Sequence, residues 1–137
     1  MTISGMLETC VYASDLAEAE RFYAEVMGLE RFAHQPGRHV FFRCGSGMFL
    51  VFHPERTRAE RSLPHGAVGG GHAAFAVRES EIDGWRARLQ DHGVAIEAEV
   101  SWPRGGRSLY VRDPAGNSIE LATPRIWGLA EKGDTDA

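Results

Sequence analysis

The chain has 137 residues, 43% of them hydrophobic, with a formal net charge of −4 and its acidic and basic residues interspersed. A chain of this length builds one ordinary domain and buries roughly two-thirds of the surface its unfolded form exposes, so folding requires neither a disulfide framework nor a metal. The lack of a basic stripe argues against nucleic acid and anionic membranes as partners. No stretch approaches the roughly 18 apolar residues of a membrane span, and residues 1–7 lack the basic and apolar regions of a signal peptide. Cys10 and Cys44 stand apart, outside any Cys-x-x-Cys arrangement, as expected of reduced thiols in a cytoplasmic protein.

Residues 7–13 favour an extended chain. Asp15, with Glu18 three residues on, is a helix-start signal, and Leu16, Ala19, Phe22, Tyr23 and Val26 recur at helical spacing before Gly28. Three strands are predicted next, at about 30–33, 39–44 and 48–53, the last two joined by a hairpin turn over 44–48. Residues 54–71 are rich in charge, proline and glycine and read as a linker or mobile loop.

After it the pattern returns. A strand is predicted at 72–77, a helix start at Ser80 with Asp83, a helical face of Ile82, Trp85 and Leu89, and a cap at Gly93. Strands at about 94–100, 107–112 and 118–122 follow, with a tight turn over Asp113, Pro114, Ala115, Gly116 and Asn117 between the last two. Each half is thus strand, helix, three strands, repeating after about 64 residues. That is an α+β architecture of two tandem βαβββ modules, each with one sheet face free to line a cavity. The expected organisation is a single domain over residues 1–130, with module one at about 5–54, a linker at 55–70, module two at about 71–124 and a disordered tail at 131–137.

Alternation along a strand sets which side chains share a face. Thr9, Val11 and Ala13 suit the helix side, leaving Glu8, Cys10 and Tyr12 on the other face. By the same phase His72 and Glu120 lie on that second face of their strands, and the repeat pairs Glu8 with His72. Two carboxylates and an imidazole suit a divalent transition metal such as Zn, Fe, Ni, Co or Mn, with positions left for substrate. The segment Trp102-Pro-Arg104-Gly-Gly-Arg107 offers an arginine that would pair with a carboxylate or phosphate. Cys10 suits a soft ligand, a reactive thiol or a small buried hydrophobe. Ser108 and Tyr110 share one face of their strand, but the sequence leaves open which. His34, His39, His65 and His92 read as surface or loop residues.

The runs Glu8-Thr-Cys-Val-Tyr-Ala-Ser-Asp-Leu16, Arg21-Phe-Tyr23, Met27-Gly-Leu29, Gly71-His-Ala-Ala-Phe-Ala-Val77 and Asp113-Pro-Ala-Gly-Asn-Ser-Ile-Glu-Leu121 resemble the vicinal-oxygen-chelate (glyoxalase/bleomycin-resistance/dioxygenase) family over residues 5–124. The resemblance implies paired βαβββ modules around a cupped mixed sheet, commonly a homodimer, and in metal-binding members four ligands from the first and last strands of each module. Carried over, those positions are Glu8, Val51, His72 and Glu120. Valine cannot ligate; His53, two residues on, is a possible substitute unless a bulge or the strand end turns it to solvent.

Two classes of function follow. In the first, a metal held by Glu8, His72 and Glu120 activates a small oxygen-bearing substrate for lyase, isomerase or dioxygenase chemistry, with Glu8 or Glu120 moving the proton. In the second, the chain is a metal-free binding module of the antibiotic-sequestering kind. Its pocket would be lined by Tyr12, Trp102 and Phe49 or Val51, with Glu8 and Glu120 attracting a cationic ligand.

Overall fold

β1 (Glu8–Tyr12) gives way to a helix at Asp15, whose carboxylate accepts the backbone N–H of Glu18 at 3.0 Å. That is the N-cap the spacing predicts. In the computed structural model, which describes residues 1–132, α1 (Leu16–Arg21) widens into a π-helical turn over Phe22–Val26. There the Met27 N–H reaches back to the Phe22 carbonyl at 3.1 Å. Phe22, Tyr23, Val26 and Met27 are all buried through this turn.

The first unit runs to Gly69. Its sheet holds β2 (Glu30–Gln35), β3 (His39–Cys44) and β4 (Gly47–Phe52) in the order β1-β4-β3-β2, with β1 parallel to β4 and the other pairs antiparallel. Tyr23 packs on Phe42 and Phe49 at ring distances of 5.9 and 4.8 Å, which marks the helix side of the sheet. Val11, Val40 and Val51 stand in register on that same side and are buried. The opposite face carries Cys10 beside Leu50 and Tyr12 beside Phe52. Residues 54–58, expected as linker, form α2 (Pro54–Arg58), with Pro54 in its first turn and Pro54 and Thr57 buried. Proline suits that position because its missing N–H would have no helical partner there.

The second unit begins at Gly70 and repeats the topology. β5 (His72–Ala76), α3 (Ile82–Asp91), β6 (Ala98–Ser101), β7 (Arg107–Arg112) and β8 (Ser118–Ala122) give the order β5-β8-β7-β6, again with the first strand parallel to the last. Ile82 and Leu89 of α3 are fully buried, as are Leu109, Val111 and Ile119 of the sheet. Two expected boundaries move. Ser80 lies inside a 3₁₀ turn (Glu79–Glu81) and caps nothing; the Glu79 N–H is met instead by the Glu131 carboxylate at 2.6 Å. β6 starts four residues late because the Val94 N–H closes the end of α3 onto the Leu89 carbonyl and is not available to the ladder. Of the expected tail, residues 133–137 lie outside the described residues. No helix among the described residues is long and apolar enough to cross a membrane.

Candidate functional site

The turn after β7 builds the site from below. Asp113 and Asn117 are buried, at 4% and 2% exposure. The Asp113 carboxylate accepts the N–H groups of Ala115 (3.0 Å) and Asn117 (2.8 Å) and the Asn117 side-chain amide (2.9 Å). The Asn117 amide oxygen then accepts the Gly71 N–H at 2.7 Å, while the Ser118 N–H donates to the Gly71 carbonyl at 2.9 Å. Turn and strand start are stapled together, and His72 is the next residue. The glycine run before it is explained by the same contact: a Cβ at Gly70 would stand 2.9 Å from the Gly116 carbonyl oxygen.

His72 Nδ1 lies 2.9 Å from the Ser118 carbonyl oxygen. A carbonyl only accepts, so Nδ1 carries the proton and, in the neutral imidazole, Nε2 presents a lone pair. Nε2 lies 3.4 Å from Glu120 Oε1. The imidazole is half-exposed and the carboxylate nearly buried, at 52% and 7% of their side-chain surface. The other oxygen, Oε2, accepts the Ser108 hydroxyl at 2.6 Å, and Ser108 Oγ accepts the Trp102 indole N–H at 2.9 Å. Tyr110 stands across from Glu120 in the ladder and stacks towards His72 at 6.4 Å. Burial, then the negative charge of Glu120, holds its phenol above the ordinary tyrosine value. The structure therefore settles the open phase: Ser108 and Tyr110 share the face of His72 and Glu120. Ala74, Ala76 and Ala122 lie on that face beside them, with Ala98 and Val100 of β6 across from Tyr110 and Ser108.

In the first unit, Glu8 is exposed at the start of β1, and Cys10 and Tyr12 follow on the face turned from the helix. The Tyr12 phenol lies 2.7 Å from His65 Nδ1, and burial, then Cys10, raises its pKa. Around them Phe52 packs on His65 (4.6 Å) and Phe41 (5.4 Å), and His39 stacks on Phe41 at 3.9 Å. His39 and His65, expected as surface or loop residues, are half-buried members of this aromatic cluster, His39 from β3 and His65 from the loop after α2, whereas His34 and His92 are exposed.

Three expected pocket residues fall elsewhere. Val51 is fully buried on the helix side, in register with Val11, and Phe49 lies beneath Tyr23. Ala74 pairs with Glu120 as Cys10 pairs with Leu50, so the position matching Glu120 in the first half is Leu50. The expectation slipped by one residue, which flips a strand side chain to the other face. His53 leaves the strand to precede α2, and its Nδ1 is buried without a hydrogen-bond partner among the described residues. Arg107 is tied to Glu79 at 2.9 Å, and Arg104 is exposed in the turn after Trp102. Among the described residues, no three His, Cys, Asp or Glu side chains form a group able to hold a metal by themselves.

Two βαβββ halves, each a four-stranded mixed sheet with its first strand parallel to its last, define a protein of the paired-βαβββ class. A sequence model of the Glyoxalase/Bleomycin resistance protein/Dioxygenase superfamily matches residues 5–121, and the chain belongs to that superfamily. The crystal structure of lactoylglutathione lyase from Agrobacterium tumefaciens is similar at a TM-score of 0.89 and 41% identity, over 94% of this chain and 100% of that one. Metallothiol transferase FosB of Staphylococcus saprophyticus is 27% identical over 80% of this chain and 70% of its own. The fosfomycin resistance protein FosX of Listeria monocytogenes shares the fold at a TM-score of 0.69 and 21% identity, over 88% of this chain and 91% of that one.

Proposed function

We propose that this chain is a divalent-metal-dependent enzyme of lyase or transferase type, acting on a small oxygen-bearing substrate, with His72 and Glu120 among its metal ligands. One observation carries the reading. With Nδ1–H given to Ser118, His72 Nε2 and Glu120 Oε1 face each other at 3.4 Å, an arrangement that a cation, or a proton on Nε2, would bridge. A backbone carbonyl fixing the far nitrogen of a ligand histidine is also the usual support of such a ligand. The donor set of imidazole and carboxylate suits Zn, Fe, Ni, Co or Mn. Glu8, which opens β1 as His72 opens β5, is the carboxylate at the matching position of the first unit. A bound divalent ion would supply Lewis acidity to neighbouring substrate oxygens. The Tyr110 phenol, held protonated, is placed to donate a hydrogen bond to a substrate oxygen beside Glu120.

The names of relatives support the same class. One is a metallothiol transferase and another a lactoylglutathione lyase, so a metal and a thiol conjugate are the first chemistry to assay here. A metal-free sequestering role would no longer draw on Phe49 or Val51, which lie on the helix side of their sheet. Elemental mass spectrometry of purified protein, before and after dialysis against chelator, tests the reading. Near-stoichiometric transition metal is expected in wild type and lost in His72→Ala and Glu120→Gln while both stay folded. Unchanged metal content in both variants, or a wild-type protein that cannot be loaded, would sink it.

A further inference from the structure

We propose that Ser108, oriented by Trp102, is a positioning residue that decides which oxygen of Glu120 is presented to His72. Its consequence for cation binding rests on the metal-site reading above; its geometry does not. An indole N–H only donates, so the 2.9 Å contact makes Ser108 Oγ the acceptor. The hydroxyl's own proton then goes to Glu120 Oε2 at 2.6 Å, because a carboxylate is a stronger acceptor than a neutral phenol. The donor inventories and the stronger acceptor together fix the direction Trp102 to Ser108 to Glu120. Oε2 is engaged, and Oε1 is the oxygen left facing Nε2. Ser108 is fully buried, so water cannot replace the donor it supplies.

The same relay accounts for the Trp-Pro-Arg-Gly-Gly-Arg stretch through its tryptophan and its two glycines. The turn closes through Gly105 N–H to the Trp102 carbonyl and Trp102 N–H to the Gly106 carbonyl, both at 3.0 Å. Gly105 and Gly106 have φ of +106° and +88°, a region that side chains rarely enter. A Cβ on Gly106 would stand 2.5 Å from Ile126 Cγ2. The two glycines let the turn lie close against residues 125–126, and that placement brings the indole over Ser108.

The test uses the full chain. In the metal-free, ¹⁵N-labelled protein, Glu120→Gln is expected to move the Trp102 indole N–H resonance through Ser108, and Ser108→Ala to abolish that response. By calorimetry with Zn²⁺ or Mn²⁺ alone, Ser108→Ala is expected to bind about ten- to a hundred-fold more weakly than wild type, as loss of a ligand's supporting hydrogen bond generally does. Trp102→Phe, at a partly exposed position (38%), keeps the test open should Ser108→Ala fail to fold; it should weaken binding several-fold with its melting temperature unchanged. An indole resonance indifferent to Glu120→Gln overturns the relay whatever the metal does. Equal affinity in wild type and both variants overturns the positioning role. A responsive resonance in a protein that binds neither ion supports the relay and overturns the metal-site reading instead.

Discussion

Asn117→Ala should be strongly destabilising, although the residue sits between two strands and touches no candidate ligand. Its side chain makes two hydrogen bonds at 2% exposure, one to the charged Asp113 carboxylate and one from the Gly71 N–H. A buried bond to a charged group is worth about 1.5–3 kcal/mol and a neutral one about 0.5–1.5 kcal/mol. The loss is therefore about 3 kcal/mol at the upper end, carried mainly by the bond to Asp113, which is buried, while Gly71 is exposed to water. For a chain of this size that corresponds to a fall of roughly 10 °C in melting temperature. Urea unfolding followed by circular dichroism, with the slope checked for constancy, measures it. The substitution also frees the strand start that carries His72, so cation retention should fall with stability. A loss below about 0.5 kcal/mol, the scale of an ordinary surface substitution, would refute the claim that this turn staples the site.

Two further expectations concern the same half. Gly70→Ala places a Cβ 2.9 Å from the Gly116 carbonyl oxygen, and because backbone cannot yield as a side chain does, a loss of about 1–3 kcal/mol is expected in the same assay; unchanged stability would show that the turn can shift. Tyr110 has its phenol pKa raised by burial and by Glu120, so the folded state holds that proton more tightly than the unfolded chain. The stability it contributes is present below the ordinary tyrosine value near 10 and is lost as pH rises through the higher folded value. Melting temperature should therefore fall above about pH 10, and Tyr110→Phe should flatten that fall. Tyr12, whose phenol is also raised by burial, titrates in the same range, so the comparison is made as the difference between wild type and Tyr110→Phe.

Much of this was legible in the sequence because it rests on short-range rules. Asp15 with Glu18 marked a helix start by a bond that closes over three residues, and the alternation of β5 and β8 placed His72 and Glu120 on one face. What could not be read depends on pairing between distant strands. Val51 was carried over as the partner position to Glu120, and only the register of β1 with β4 shows that Leu50 holds that place. Ser108 and Tyr110 were ambiguous for the same reason. His65 lies in a stretch whose composition says loop, and its contact with Tyr12 crosses 53 positions of sequence. The buried Asp113–Asn117 pair carried a signal that went unused. Turn residues explain Pro114 and Gly116, but an Asp and an Asn flanking them are the residues that would tie the turn to another segment.

The two halves share a frame and use it oppositely. In the first, the strand pairs facing away from the helix are Cys10 with Leu50 and Tyr12 with Phe52; in the second they are Ala74 with Glu120 and Ala76 with Ala122. Large side chains fill the first face, where Phe52 is only 7% exposed beneath His65, Phe41 and Tyr12. Alanines leave the second face open beside a buried carboxylate. Burying a charge is tolerable only where donors meet it, and the second half alone supplies them, from Ser108 on its own sheet and from Trp102 beyond it. The repeat thus sets where the face strands lie, and the side-chain volume at four face positions decides which copy keeps an open face. Filling the second face by Ala76→Leu should then block substrate without disturbing the core, because Ala76 is exposed.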